Sequence, residues 1–203
     1  QDAPKQPPKG EHWNKGVTID LGLVVSDDGI HFREPVPDHS VIDRGKQGEW
    51  DDIALLQGHA FVNRGDKTLM WYSHWDTGGK LKSMEIGLAT LRRDGFGYLS
   101  PRVEDSLAHF VTAPFETRGE LQLFVNVEGV STEHPLTVEL VDEFDKPLPG
   151  YSGKDAARIT QSGTRTPIVW SGNNPLPAGK KLAARVTFPH STETKFYALY
   201  AGK

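Results

Sequence analysis

The 203-residue chain has no cysteine. That excludes a disulfide framework, a thiolate zinc site and a cysteine nucleophile, and it leaves the cellular compartment open. Helical patterning is almost missing as well, because no segment keeps apolar residues at i, i+3, i+4 and i+7 over three turns. No apolar run approaches the roughly 18–20 residues that a bilayer-spanning helix needs, so no membrane partner is expected. An excess of positive charge is also lacking. The net charge is −4 and the pI about 6.1, with no Lys/Arg stripe, which argues against nucleic acid as a partner. A Gly-x-Ser-x-Gly elbow, a phosphate-cradling loop and a dinucleotide fingerprint are all absent, and no cofactor is expected.

What the chain does have is punctuation. Its 21 glycines and 14 prolines break the sequence into short β-rich runs, the signature of an all-β protein. Predicted strands cover residues 18–26, 53–63, 68–74 and 84–91, then 120–127, 136–142, 168–170, 182–188 and 195–200. Turns are predicted at Asp28-Gly29, Gly65-Asp66 and Thr77-Gly78-Gly79. Phe32 is expected to tuck beneath the first of these. A single short helix is expected over residues 153–159, with Ser152 as its N-cap.

One phrase occurs twice. Asp20-Leu21-Gly22-Leu23-Val24-Val25-Ser26, closing on Asp28-Gly29, returns as Glu85-Ile86-Gly87-Leu88-Ala89-Thr90-Leu91, closing on Asp94-Gly95. A repeat at a fixed period points to an architecture such as a propeller, in which each unit buries its faces only by stacking on neighbours. Two copies are too few to close a ring. The expected organisation is an extended tail or linker over residues 1–16, propeller blades over 17–111 and a β-sandwich over 112–203. Because the chain starts at Gln1 rather than Met, a removed upstream segment is also expected.

Two clusters carry the candidate chemistry. Trp50, Asp51 and Asp52 immediately precede a strand. Carboxylates at a strand mouth beside an indole suit sugars, whose apolar faces stack on aromatic rings while their hydroxyls donate to carboxylates. Asp51 and Asp52 are the candidate catalytic residues, or else they merely cap a loop. Trp71, Tyr72, His74, Trp75 and Asp76 form the second cluster; Trp50, His74, Trp75 and Asp76 are candidate substrate-binding residues, with Trp71 expected in the core. His59, after Gly58 in an apolar strand, is either a further binding residue or a hydrogen-bonded core histidine. No second histidine lies two or four residues away from it, so no metal is expected.

Residues 22–32, Gly48-Glu49-Trp50-Asp51 with Gln57-Gly58-His59-Ala60, and Met70-Trp71-Tyr72-Ser73 with Glu85-Ile86-Gly87-Leu88-Ala89-Thr90 together resemble one family. It is the C-terminal part of the five-bladed β-propeller glycoside hydrolases, the furanosidase-like superfamily of families 32, 43 and 68. The likeness spans about residues 17–100, and the tail is similar in layout to the β-sandwich that follows the propeller in family-32-like proteins. The resemblance implies the final blades plus a sandwich, a secreted or periplasmic location and carbohydrate as partner. It carries over His59, matching a Gly-His on the last inner strand. No segment matches the family's nucleophile or acid motif, so its catalytic carboxylates are expected outside this chain. Three readings follow: part of a glycosidase-like protein, a non-catalytic carbohydrate-binding or structural module, or a partial propeller completed by an N-terminal half or an oligomer partner.

Overall fold

The computed structural model describes residues 16–75, 85–102, 108–117 and 121–202. It is all-β, built from antiparallel sheets, and divides into two compact units, Gln1–Arg92 and Arg93–Lys203. The division lies upstream of the change in sequence pattern near residue 112. The segment ahead of that change includes a strand hydrogen-bonded into the second unit's sheet.

In the first unit, β1 (Leu21–Gly22) pairs with β2 (Ser40–Ile42), and Ile19 makes a parallel bridge to Ala54. β3 (Leu55–Arg64), β4 (Lys67–His74) and β5 (Ile86–Arg92) form a three-stranded antiparallel sheet in chain order. Gly65, at φ 59°, makes the tight β3–β4 turn. β3 carries a bulge: Gln57 pairs with Tyr72 and Phe61 with Met70, leaving Gly58, His59 and Ala60 opposite Trp71. A Cβ on Gly58 would lie 2.5 Å from the Trp71 carbonyl oxygen, so only glycine fits that approach.

The first repeat ends in a genuine hairpin. Val25 and Arg33 exchange backbone hydrogen bonds at 2.9 Å around Asp28-Gly29. Asp28 Oδ1 accepts the backbone N–H groups of Ile30 and His31 at 2.8 and 2.7 Å, and Oδ2 lies 2.6 Å from His31 Nδ1. The His31 side chain, then these N–H groups, hold the Asp28 carboxyl well below its usual range. Phe32 is not tucked beneath this turn; it is 60 % exposed, because the local bonds fix the turn and nothing packs over the ring.

The second unit has two sheets. One runs β10 (Ala157–Ile159), β9 (Leu136–Asp142), β12 (Lys181–Thr187) and β6 (His109–Val111), with β7 (Phe115–Glu116) also pairing β12. The other runs β11 (Gly163–Pro167), β8 (Gln122–Glu128) and β13 (Lys195–Gly202). Strict alternation supplies the inward sides: Leu123, Val125 and Val127 from β8 join Leu136, Val138 and Leu140 from β9 in one buried cluster. Leu182, Ala184, Val186, Phe196 and Trp170 complete it, and the Trp170 indole donates to the Val138 carbonyl at 3.2 Å.

Asn126, fully buried on β8, donates to the Arg93 carbonyl at 2.5 Å and to Tyr200 Oη at 3.4 Å, while Tyr200 donates to Asp94 at 2.5 Å. Asp94, from the second copy of the repeat, is thus a turn residue at φ 52° bound into this network rather than a hairpin tip like Asp28.

The expected helix over residues 153–159 is absent. Gly153–Asp155 makes one 3-10 turn, and Ala157–Ile159 instead joins β9 as a strand. Gly153 starts at φ 62°, and the Ser152 hydroxyl donates to the Leu140 carbonyl at 2.8 Å rather than capping. Residues 168–170 are not a strand either, although Ile168 N–H still bonds to the Leu123 carbonyl at 2.9 Å.

The two units divide apolar surface very unevenly. Among the described residues, Ala54 and Leu55 are the only buried hydrophobics of the first unit, whereas the second buries Leu123, Val138, Leu140 and many more. Leu140→Ala is therefore expected to cost about 3 kcal/mol of unfolding free energy, by loss of transfer energy and creation of a cavity. Leu88→Ala, on the open first-unit sheet, is expected to change it by under about 0.5 kcal/mol. Urea denaturation checks the first by Trp170 fluorescence and the second by the fluorescence of Trp50 on the first-unit sheet.

Candidate functional site

The loop over residues 45–52 folds onto one face of the β3–β5 sheet, and its own acids shape it. Glu49 Oε2 accepts the Lys46 N–H at 2.6 Å, and Asp52 Oδ2 accepts the Gly48 N–H at 2.6 Å. The Gly45 N–H donates to the Asp51 carbonyl at 3.2 Å. The Asp51 and Glu49 carboxylates crowd Gly45 so closely that a Cβ there would overlap them. Gly48, at φ 93°, takes the left-handed turn that lets the chain double back.

Asp51 is 8 % exposed, and its Oδ2 accepts the Tyr72 hydroxyl at 2.9 Å. Tyr72 shares a register row with Gln57 and Gly87, and its ring lies over Gly87, where any Cβ would fall inside the ring. Trp50 stacks on Tyr72 with ring centroids 5.5 Å apart and planes 20° from parallel. His74 meets the same indole edge-on at 5.5 Å and 83°. The sheet thus supplies a base of Gly87, then Tyr72, and the loop lays an indole on top.

This indole is 36 % exposed, so Trp50 is a half-open aromatic surface fixed from below and from the side. Beside it, His74 Nδ1 is buried with no hydrogen-bond partner. A buried ring nitrogen without a partner carries a desolvation cost that a ligand hydroxyl or a water can relieve. Burial, followed by the hydrogen bond to the Asp51 carboxylate, raises the Tyr72 phenol above its ordinary value of 10.0.

The structure therefore brings together Trp50, Asp51 and His74, and adds Tyr72 and Gly87 as their supports. Asp52 joins the same loop, with its carboxylate engaged by the backbone. Trp75 lies next in the chain, its N–H bonded to the Ala54 carbonyl at 2.7 Å. His59 is an exposed residue of the β3 bulge rather than a core histidine, and Trp71, expected in the core, is 42 % exposed on the opposite face of the sheet from Tyr72. Asp76 lies outside the described residues. Tyr72 stood within the sequence cluster without a role. The signal that could have found it is the glycine of the repeated Ile86-Gly87-Leu88, which exists to admit its ring.

No group of three His, Asp or Glu residues suited to a metal occurs among the described residues. The remaining anchor in this unit is Arg44, whose Nε and backbone N–H reach Asp20 Oδ1 at 2.8 and 3.0 Å and lower the Asp20 carboxyl. That pair fixes the start of the first repeat to the segment leading into the loop.

Two measurements follow from this geometry. In an alkaline titration followed by phenolate absorbance, Tyr72 and Tyr200 are expected to ionise above the ordinary tyrosine value of 10.0. Tyr72→Phe removes one late group, and Asp51→Asn returns part of the shift. Because a raised phenol favours the protonated folded state, its contribution to stability is full below the free-tyrosine value of 10.0 and is lost as pH rises through the shifted one. Gly87→Ala is expected to displace the Tyr72 ring and increase quenching of Trp50 by acrylamide, with the second unit's urea midpoint unchanged.

Comparison with models of known protein families, with curated proteins and with solved structures found no match.

Proposed function

We propose that the Trp50 surface binds carbohydrate, within a glycoside hydrolase-like protein whose scaffold is propeller-type sheets followed by a β-sandwich, exported to the periplasm or secreted. The observation that carries this reading is the indole itself: half-open, stacked on Tyr72, and fixed there by the Tyr72–Asp51 hydrogen bond. An aromatic face that is already ordered loses little entropy when a sugar's C–H face lies on it. The acidic loop offers hydrogen-bonding groups at its margin.

Binding is favoured over hydrolysis by this chain's own acids. Asp51 accepts from Tyr72 and is nearly buried, and Asp52 accepts from Gly48, so both carboxylates already serve the loop. Glycoside hydrolysis needs two carboxyl groups flanking the scissile bond, one of them free to donate a proton. The two-sheet core of the second unit supports the sandwich part of the scaffold.

The test is a fluorescence titration of the 203-residue protein with soluble pentofuranose, fructofuranose and hexopyranose oligosaccharides. One class is expected to quench the tryptophans saturably. Trp50→Ala is expected to weaken that binding at least about tenfold, the equivalent of roughly 1.4 kcal/mol, and Trp71→Ala to leave it unchanged. No saturable response to any class would remove the proposal. Turnover of an aryl glycoside that Asp52→Asn abolishes would replace binding with catalysis.

A further inference from the structure

The sheet of β3, β4 and β5 has a second face that no described loop of its own unit covers. The register puts Leu56, Ser73 and Ile86 in one row across it, Trp71 and Leu88 in the next, and Val62, Leu69 and Thr90 in a third. Leu56, Val62, Trp71, Ile86 and Leu88 are 39, 46, 42, 75 and 55 % exposed. Contiguous apolar residues on one side of a sheet form a patch on the order of 500 Å², at the upper end of what a monomer leaves open. The charges of this face are confined to its last row, where Arg64, Lys67 and Arg92 are aligned at the turn end.

We propose that this face pairs with the same face of a second copy of the chain, about a two-fold axis that passes through Trp71 perpendicular to the strands. Three features select this occupant. Trp71 is at the middle of the central strand, so the axis lays its row on the partner's same row. The two flanking apolar rows then cover each other, Leu56-Ser73-Ile86 against Val62-Leu69-Thr90. A two-fold interface must be self-complementary, and these rows are.

The second feature is charge. An axis parallel to the strands would place the row of Arg64, Lys67 and Arg92 on its own copy, whereas the perpendicular axis leaves both basic rows beyond the overlap, at a solvated rim. The third is area. Two patches of that order bury about 1,000 Å² together, the lower bound for a specific interface and the size of a transient pair. The pairing gives the sheet the second layer that its own unit does not supply. It does not rest on the carbohydrate reading, because Trp50 and Tyr72 lie on the opposite face.

Sedimentation velocity of the full chain from about 1 to 200 µM, the range spanning weak dimers, is the test. The expected result is a concentration-dependent monomer–dimer equilibrium with little dependence on salt. Leu88→Lys is expected to weaken it at least about tenfold, since it places a charge at the centre of the overlap. Phe144→Lys, which replaces a more exposed apolar side chain in the second unit, is expected to leave it unchanged. Far-ultraviolet dichroism shows that both variants are folded, and unchanged acrylamide quenching of Trp50 shows it for the first unit of Leu88→Lys. A monomer throughout the range overturns the proposal, as does a dimer indifferent to Leu88→Lys. If the monomer instead sediments with phosphatidylserine vesicles in a Leu88-dependent manner, the face belongs to a lipid surface.

Discussion

A β-sheet can bury side chains on a face only when a second layer lies over that face, and the whole structure follows from how this requirement is met. In the second unit, two sheets present alternating Leu, Val and Ile residues to each other, and Trp170 adds an indole whose N–H finds the Val138 carbonyl. Every inward position there has apolar neighbours. The first unit has a sheet of comparable strand length, joined among the described residues only by the two-stranded β1–β2 pair and by a loop on part of one face. Its stability therefore comes from turns, a bulge and local hydrogen bonds more than from burial.

The candidate site depends on the same economy of cover. The loop over residues 45–52 is a layer that the first-unit sheet acquires from its own unit, and the layer is thin. It needs Gly87 to have no side chain, so that Tyr72 lies flat on the sheet. It needs Asp51 to accept the Tyr72 hydroxyl, which fixes the loop's height above the sheet. Trp50 is the outermost member of this stack. Its partial exposure is thus the outcome of a layer one residue deep, and an aromatic ring presented in that way is available to a ligand by construction.

Much of the strand inventory was legible in the sequence because period-2 alternation and Gly/Asp turns are local signals. The strand predicted at residues 136–142 has the bounds of β9, and those at 53–63, 68–74 and 84–91 correspond to β3, β4 and β5 within a few residues. The short strands β6, β7 and β10 carry too few residues to show alternation, and they exist because β9 and β12 offer them an open edge. The false helix at residues 153–159 arose from a capping residue and a run without β-branching up to Arg158. Tertiary pairing of Ala157–Ile159 with β9 overrode it. Burial was less legible than strand identity. An apolar strand reads the same whether or not a second layer meets it, so Trp71 was expected in a core, and His59 was left between a core place and a binding role. Of the site, the Trp50–Asp51 pair and His74 were visible as a composition. The contacts joining them to Tyr72 and Gly87 depend on a register across β4 and β5 that no single segment encodes.

Asn126 has a consequence for how β8 finds its place. Alternation penalises a slip of one residue, since it would turn Leu123, Val125 and Val127 outward, but it is blind to a slip of two. A two-residue slip would carry the amide away from the Arg93 carbonyl and bring Phe124 or Glu128 to that position, neither of which can donate there. One buried amide thus separates the native alignment of β8 with β13 from near-degenerate ones that hydrophobicity alone would accept. It acts as an address for the strand, and as such it contributes to uniqueness more than to stability.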